Sequence, residues 1–395
     1  MKPLLLTNAK VIVGHQLLEN GYVYVEDGKI TDINNGTPNI SDNNVDIVDC
    51  QMNYLSPGFI DIHTHGGGGA DFMDGDEDAI ITASRMHLSH GTTSIYPTTL
   101  TCSDEELFLF FKNYKKVKNI TENMPHLMGI HLEGPYFSPA QCGAQPKEYM
   151  QTPNPEKYMK ILELGGNDIA RWSSAPEIDG ALELGKELSK RGIMAAIAHS
   201  DATYDEVLSA IKSGYTHVTH LYSGMSSITR RGGFRVLGVV ESAYLLDVLT
   251  VEIIADGCHL PPELLRLIVK NKHNTSICLV TDSMRGAGMP EGPSILGSKA
   301  NGQEVIIEGG IAKLLDHMSF AGSVATTDRL VRVMTKNVGL SMIDAVSMMT
   351  INPARFMHID NKKGSISIGK DGDLVVFDEN VNIKKIFIMG EPVIL

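Results

Sequence analysis

Six side chains of metal-binding or proton-transferring type fall at the ends of short apolar runs. They are His63 and His65 in "GFIDIHTHGGGG", Glu133 in "GIHLEGP", His199 in "MAAIAHS", His220 in "THVTHLY" and Asp282 in "ICLVTDS". In an extended chain alternate side chains share a face, so Asp61, His63 and His65 line one side while Ile60, Ile62 and Thr64 line the other. Two imidazoles together at a strand end, with glycine freedom beyond, suit metal chelation. The full set offers nitrogen and oxygen donors and no thiolate, the donor chemistry of zinc or iron. Each residue also has a plainer reading. A strand-end histidine can bond a neighbouring carbonyl, Glu133 can serve the Gly134-Pro135 turn, and Asp282 can cap a helix ahead of Ser283. One metal site explains the six together better than six separate accidents.

What would bring them to one place is a repeating scaffold. β-rich runs recur at 58–65, 92–99, 126–133, 170–176, 194–199, 216–221, 248–254 and 276–282. Between them lie pieces of helical spacing such as "DEELFLFFKNYKKVKN", "ALELGKELSKRG", "YDEVLSAIKSG" and "PELLRLIVKNK". Eight strand–helix alternations predict an α/β fold, a (β/α)8 TIM-type barrel, whose chemistry lies at the C-terminal ends of the strands. All six residues fall at such ends. Outside this region, 1–54 and the tail from about 362 alternate short β-like runs with turns such as Asp27-Gly28 and Asp371-Gly372. Each is too small to bury a core alone, so the two predict one small β-sandwich, 1–54 with 362–395, beside a catalytic barrel at 55–361.

Lys and Arg number 34 against 47 Asp and Glu, a net charge of −13 that argues against nucleic acid as a partner. An anionic ligand would then need a local basic cluster to overcome the global field. No apolar run approaches the ~20 residues needed to cross a bilayer, and the start "MKPLLLTNAKVIVGH" carries no secretory pattern. Five scattered cysteines form no CxxC pair, which fits a reducing cytoplasm. Four other histidines read as structural: His131 as packing beside Glu133, His217 on the strand face opposite His220, His87 and His90 in a helical stretch. The "GGGG" run lacks a following Lys-Ser/Thr, so it reads as a flexible loop at the mouth and not as a phosphate-binding loop.

The chain resembles the amidohydrolase superfamily and, within it, the family of N-acetylglucosamine-6-phosphate deacetylases. The likeness rests on "PGFIDIHTHGGGG", "HLEGPY", "AHSDAT", "THVTHLYSGM", "ADGCHL", "LVTDSMRGAG", "FAGS", "NPAR" and "GSISIGKDGDLVVFD". It implies metal-dependent hydrolysis of the acetamide of N-acetylglucosamine-6-phosphate, a small sugar phosphate substrate, and typically a homodimer. Glu133, His199 and His220 match the family's principal metal ligands, and His63 and His65 match a pair that some members keep for a second ion. One or two divalent ions are thus implied, zinc first, with iron, cobalt or manganese also compatible. Asp282 matches the catalytic acid/base. Arg231 and His259 match positions contacting the phosphate, and Ser223 and Gly224 the loop that grips it through backbone.

Three departures stand out. Gln145 occupies the place of a histidine that polarises the acetamide carbonyl; it can donate a hydrogen bond but carries no charge. "RRGGFR", 230–235, replaces the usual Arg-Glu-Pro-Gly, and Ser223-Gly224 replaces Asn-Ala. They leave open a deacetylase for another N-acetyl sugar phosphate, such as the galacto epimer. Another amidohydrolase reaction is disfavoured because Glu133 stands where a carboxylated lysine would serve, and a non-catalytic barrel because every ligand and acid/base position is filled.

Overall fold

The computed structural model describes residues 2–36 and 44–394. Eight parallel strands form the barrel: β1 (Phe59–Thr64), β2 (Thr92–Pro97), β3 (Ile130–Glu133), β4 (Ile169–Ser174), β5 (Met194–Ile197), β6 (Tyr215–Val218), β7 (Thr250–Ile253) and β8 (Ile277–Leu279). The eight β-rich runs of the sequence correspond one to one with these strands. Between β2 and β3 the wall is joined by a bridge from Thr98 to His131. It closes between β8 and β1, where the Asp282 amide donates to the His63 carbonyl at 2.9 Å. Both faces of these strands are buried, so they read as nearly continuous apolar runs.

The helices lock onto the barrel by amphipathic spacing. In Asp104–Val117, Leu107, Phe110, Phe111, Tyr114 and Val117 recur at helical intervals and are buried. Ser103 caps the first turn, with Glu106 returning a bond to its backbone, an arrangement worth about 1 kcal/mol. No helix among the described residues is long and apolar enough to cross a membrane. After β8 the chain makes a three-stranded antiparallel insert, Gly292–Leu296, Gln303–Glu308 and Ile311–Leu314. The sequence reading placed no strands there.

Both ends of the chain build one eight-stranded sheet, in which Tyr54–Pro57 pairs antiparallel with Leu374–Phe377. It folds around its own core of Leu6, Val11, Val23, Leu55, Val376 and Phe387. Asp373 rivets this sheet to the barrel. Its carbonyl accepts from the Gly58 amide at 2.8 Å, and its carboxylate accepts from the Met389 amide at 2.9 Å, from His126 at 3.4 Å and from Lys363. Burial pushes the carboxyl up, but the His126 hydrogen bond and the Lys363 charge outweigh burial and hold it down at about 2. Its contribution to stability is therefore complete above the unfolded value of about 3.9 and disappears as pH falls towards 2. Asp373→Asn should cost roughly 2 kcal/mol at neutral pH. Urea titrations at descending pH should find that difference shrinking below about pH 4; a difference independent of pH would remove the charge from this role.

Candidate active site

The barrel gathers all six sequence-selected residues at one rim. His63 lies on β1 with His65 just beyond it, Glu133 ends β3, and His199, His220 and Asp282 follow the ends of β5, β6 and β8. The last three depart sharply from strand geometry, with φ of +44°, +29° and +47°. Residues other than glycine rarely adopt this left-handed region, at a cost of order 1–3 kcal/mol each. The turn swings each side chain from the wall over the barrel mouth. Surrounding backbone holds the Asp282 peptide from both sides: its amide donates to His63, and its carbonyl accepts from Ser323 at 2.8 Å.

The four imidazoles converge through their Nε2 atoms on the Glu133 carboxylate. The distances are 3.0 Å from His220, 3.3 Å from His65, 3.5 Å from His63 and 3.6 Å from His199. Asp282 Oδ1 stands 3.2 Å from His65 Nε2 and 3.4 Å from His63 Nε2. The donor atoms of His63, His65 and Glu133 lie within 4.8 Å of one another, as do those of Glu133, His199 and His220. His63 Nε2 is buried with no hydrogen-bond partner, which is costly unless a further acceptor of its lone pair is provided. His63 Nδ1 faces a carboxylate and His199 Nδ1 donates to the Gln141 carbonyl at 2.8 Å. Both therefore present an unprotonated Nε2 to the centre. These residues fit one divalent cation, or two sharing Glu133.

Beneath the rim lies a polar layer that the sequence reading did not single out. Glu252 of β7, fully buried, accepts from Arg171 Nη1 at 2.5 Å, His63 Nδ1 at 2.6 Å and the His220 amide at 3.0 Å, with His217 Nε2 at 3.3 Å. Burial opposes its charge, but Arg171 and His63 outweigh burial and keep it well below the usual carboxylate range. A charged residue inside each of the strands "IARWSS" and "TVEI" was the available signal. His217 belongs to this layer. The strand ends at Val218 and His220 is left-handed, so strict alternation no longer separates the two histidines. Burial takes His217 down to about 4, keeping it neutral. His131 packs edge-on against His63 with ring centres 4.6 Å apart, and bonds Thr98 and Ser173. Asp61 does not face the centre; it accepts from Thr281 of the β8 end.

Above the rim, Gln145, Ser223, Gly224 and His259 line a cleft of about 240 Å³ together with His65, Glu133, His199, His220 and Asp282. His259 is oriented by Asp256, which holds Nδ1 at 2.9 Å, and its ring packs on Phe320, which follows the insert and bridges back to its Lys313. Gln145 is engaged elsewhere than expected: its Oε1 accepts from the Thr101 amide at 3.0 Å, which turns its Nε2 to donate to Glu133 at 2.7 Å. It thus buttresses Glu133. Arg231 is not among the lining residues; it sits exposed on a hairpin, Thr229–Arg231 with Phe234–Val236. The glycine run also differs from a flexible loop. Gly66–Gly67 pairs with Ala70–Asp71, and a Cβ on Gly67 would lie 2.0 Å from the Met86 side chain. His87 is buried beneath it, 2.9 Å from the Gly66 carbonyl.

If Glu252 orients His63, removing its charge should loosen the centre without removing a donor. Glu252→Gln should lower divalent-metal affinity about 10–100-fold, the usual cost of losing such a partner, read by competition with a chelator. Unchanged affinity would show that His63 needs no such support.

Residues 54–393 match the profile of the amidohydrolase family. Over 383 residues, 96% of this chain and 94% of the relative, the sequence is 34% identical to an N-acetylglucosamine-6-phosphate deacetylase of Bacillus subtilis (strain 168). An N-acetylgalactosamine-6-phosphate deacetylase of Escherichia coli O157:H7 is 29% identical over 347 residues, 88% of this chain and 89% of the relative. Among solved structures, a mutant N-acetyl-D-glucosamine-6-phosphate deacetylase of Mycobacterium smegmatis, in complex with N-acetyl-D-glucosamine-6-phosphate, superposes with a TM-score of 0.90 at 30% identity, covering 100% of each chain. The chain belongs to the amidohydrolase family, in the branch that holds the N-acetylglucosamine-6-phosphate deacetylases.

Proposed function

We propose that the protein is a metal-dependent deacetylase that hydrolyses the acetamide of N-acetylglucosamine-6-phosphate to glucosamine-6-phosphate and acetate. The observation that carries this reading is the convergence of four imidazoles on Glu133 with Asp282 at their side. That centre lies in a cleft whose other wall carries Ser223, Gly224 and His259. The principal ion would be held by Glu133, His199 and His220, and a second, if present, by His63, His65 and Glu133. Nitrogen and oxygen donors favour zinc, with iron, cobalt and manganese as competitors. When bound, the metal supplies a Lewis acid that brings the pKa of water from 15.7 to about 7.

Asp282 would take the proton of the attacking water and pass it to the departing nitrogen. The water oxygen bonds to the carbonyl carbon, the C–N bond breaks, and acetate and the free amine leave. Gln145 acts on this step through Glu133, keeping the carboxylate turned towards the histidines. His259, oriented by Asp256, directs Nε2 to the phosphate, and the loop at Ser223 and Gly224, held by the Ser223 amide donating to the His220 carbonyl at 2.9 Å, completes that end. Arg231 lies outside its own cleft, so a role at the phosphate requires a second copy of the chain. Phe234 on that hairpin is 79% exposed and Ile228, just before it, 51% exposed, apolar surface that a homodimer would cover. A cytoplasmic location accords with the unpaired cysteines.

Acetate release by metal-loaded protein should be strong with N-acetylglucosamine-6-phosphate and weak with its galacto epimer and with unphosphorylated N-acetylglucosamine; equal rates on all three would refute the phosphate end. Asp282→Asn should lower kcat by at least about 10²-fold with metal content unchanged. Near-normal turnover would take proton transfer away from Asp282.

A further inference from the structure

A second cavity, of about 500 Å³, adjoins the cleft and shares five of its lining residues: Leu100, Gly143, Ala144, Gln145 and Leu296. It is lined by the apolar Met73 and Cys102 and by the charged Glu106, Lys147 and Glu148, and it reaches the surface at Asn301 and Gln303, both exposed. The parts of the proposed substrate have separate addresses in the cleft. In the proposed reaction the phosphate would lie at Ser223, Gly224 and His259, and the amide between Glu133 and Asp282. That arrangement would leave the acyl tail, on the side of the carbonyl away from the sugar nitrogen, facing Leu100, Ala144 and Leu296, three of the five residues common to both spaces.

We infer that the second cavity receives the acyl group, and that the protein hydrolyses N-acyl hexosamine phosphates with chains longer than acetyl. This rests on the proposed deacetylase reading and extends it to a wider class of amide. The chemistry is the same: water adds to the acyl carbonyl, the C–N bond breaks, the nitrogen takes a proton and a longer carboxylate departs. A pocket closed around acetyl rejects one added methylene by about 10–200-fold. Where the tail leads into open, partly apolar space, that rejection is absent and each buried methylene favours binding.

The test is the N-acetyl, N-propionyl and N-butanoyl series of glucosamine-6-phosphate with metal-loaded protein, following the carboxylate released. The expected result is kcat/KM for N-butanoyl within about ten-fold of N-acetyl. Gln303→Trp, which fills the cavity from its exposed mouth, should then depress N-butanoyl turnover and leave N-acetyl turnover in place. Good N-acetyl turnover with a loss beyond about ten-fold for N-butanoyl would overturn the inference while leaving the deacetylase reading intact. So would a Gln303→Trp variant that lowers both substrates equally. Failure on all three substrates would end both readings together.

Discussion

A single carboxylate, Glu252, carries most of the order beneath the candidate site. Buried in a barrel strand, it would be untenable alone, because an isolated charge in an apolar interior is far costlier than the protein's net stability allows. Arg171 compensates the charge, and the remaining lone pairs are used by His63, His217 and the His220 amide. One group thus fixes the tautomer of one rim histidine and the backbone of another. Arg171 also donates to Thr219, which bonds Ser173, which bonds His131, which bonds Thr98. This continuous polar path runs around the barrel interior under the metal-binding groups. Both Arg171 Nη atoms and the Glu252 carboxylate are partnered, the buried Arg171 Nε being the exception, and a polar network so largely satisfied makes a rigid floor.

Much of this was legible in the sequence, for reasons that differ by element. The eight strands announced themselves because parallel strands buried on both faces must be apolar throughout and are separated by amphipathic helices. His63, His65, Glu133, His199, His220 and Asp282 were recognisable because their residue types are rare at the ends of such strands. Glu252 and Arg171 were overlooked because a lone charge within an apolar run looks like a surface residue until its partner, 81 positions away, is known. Gln145 lines the cleft, but its engagement with Glu133 depends on the Thr101 amide, a contact no spacing encodes. The insert after β8 was missed. Its strands are short and their apolar faces pack against the barrel, so neither periodicity stood out from turn-rich surroundings.

That insert shapes both ends of the cleft. Phe320, which follows it and bridges back to it, packs on His259 at one side, while Leu296 stands in the wall shared with the adjoining cavity at the other. The barrel rim therefore sets where bonds are made and broken, whereas a segment outside the eightfold repeat sets the outline of what enters. Loops on a rigid scaffold commonly divide labour in this way.

The left-handed backbone at His199, His220 and Asp282 has a consequence for engineering. Each position holds conformational energy that a glycine or asparagine would release, so directed evolution for heat resistance would find gains at these three places. Every such gain would erase a donor or the acid/base group. Thermostability and activity are thus opposed at the same three residues, and a screen that scores folding alone would converge on an inert barrel.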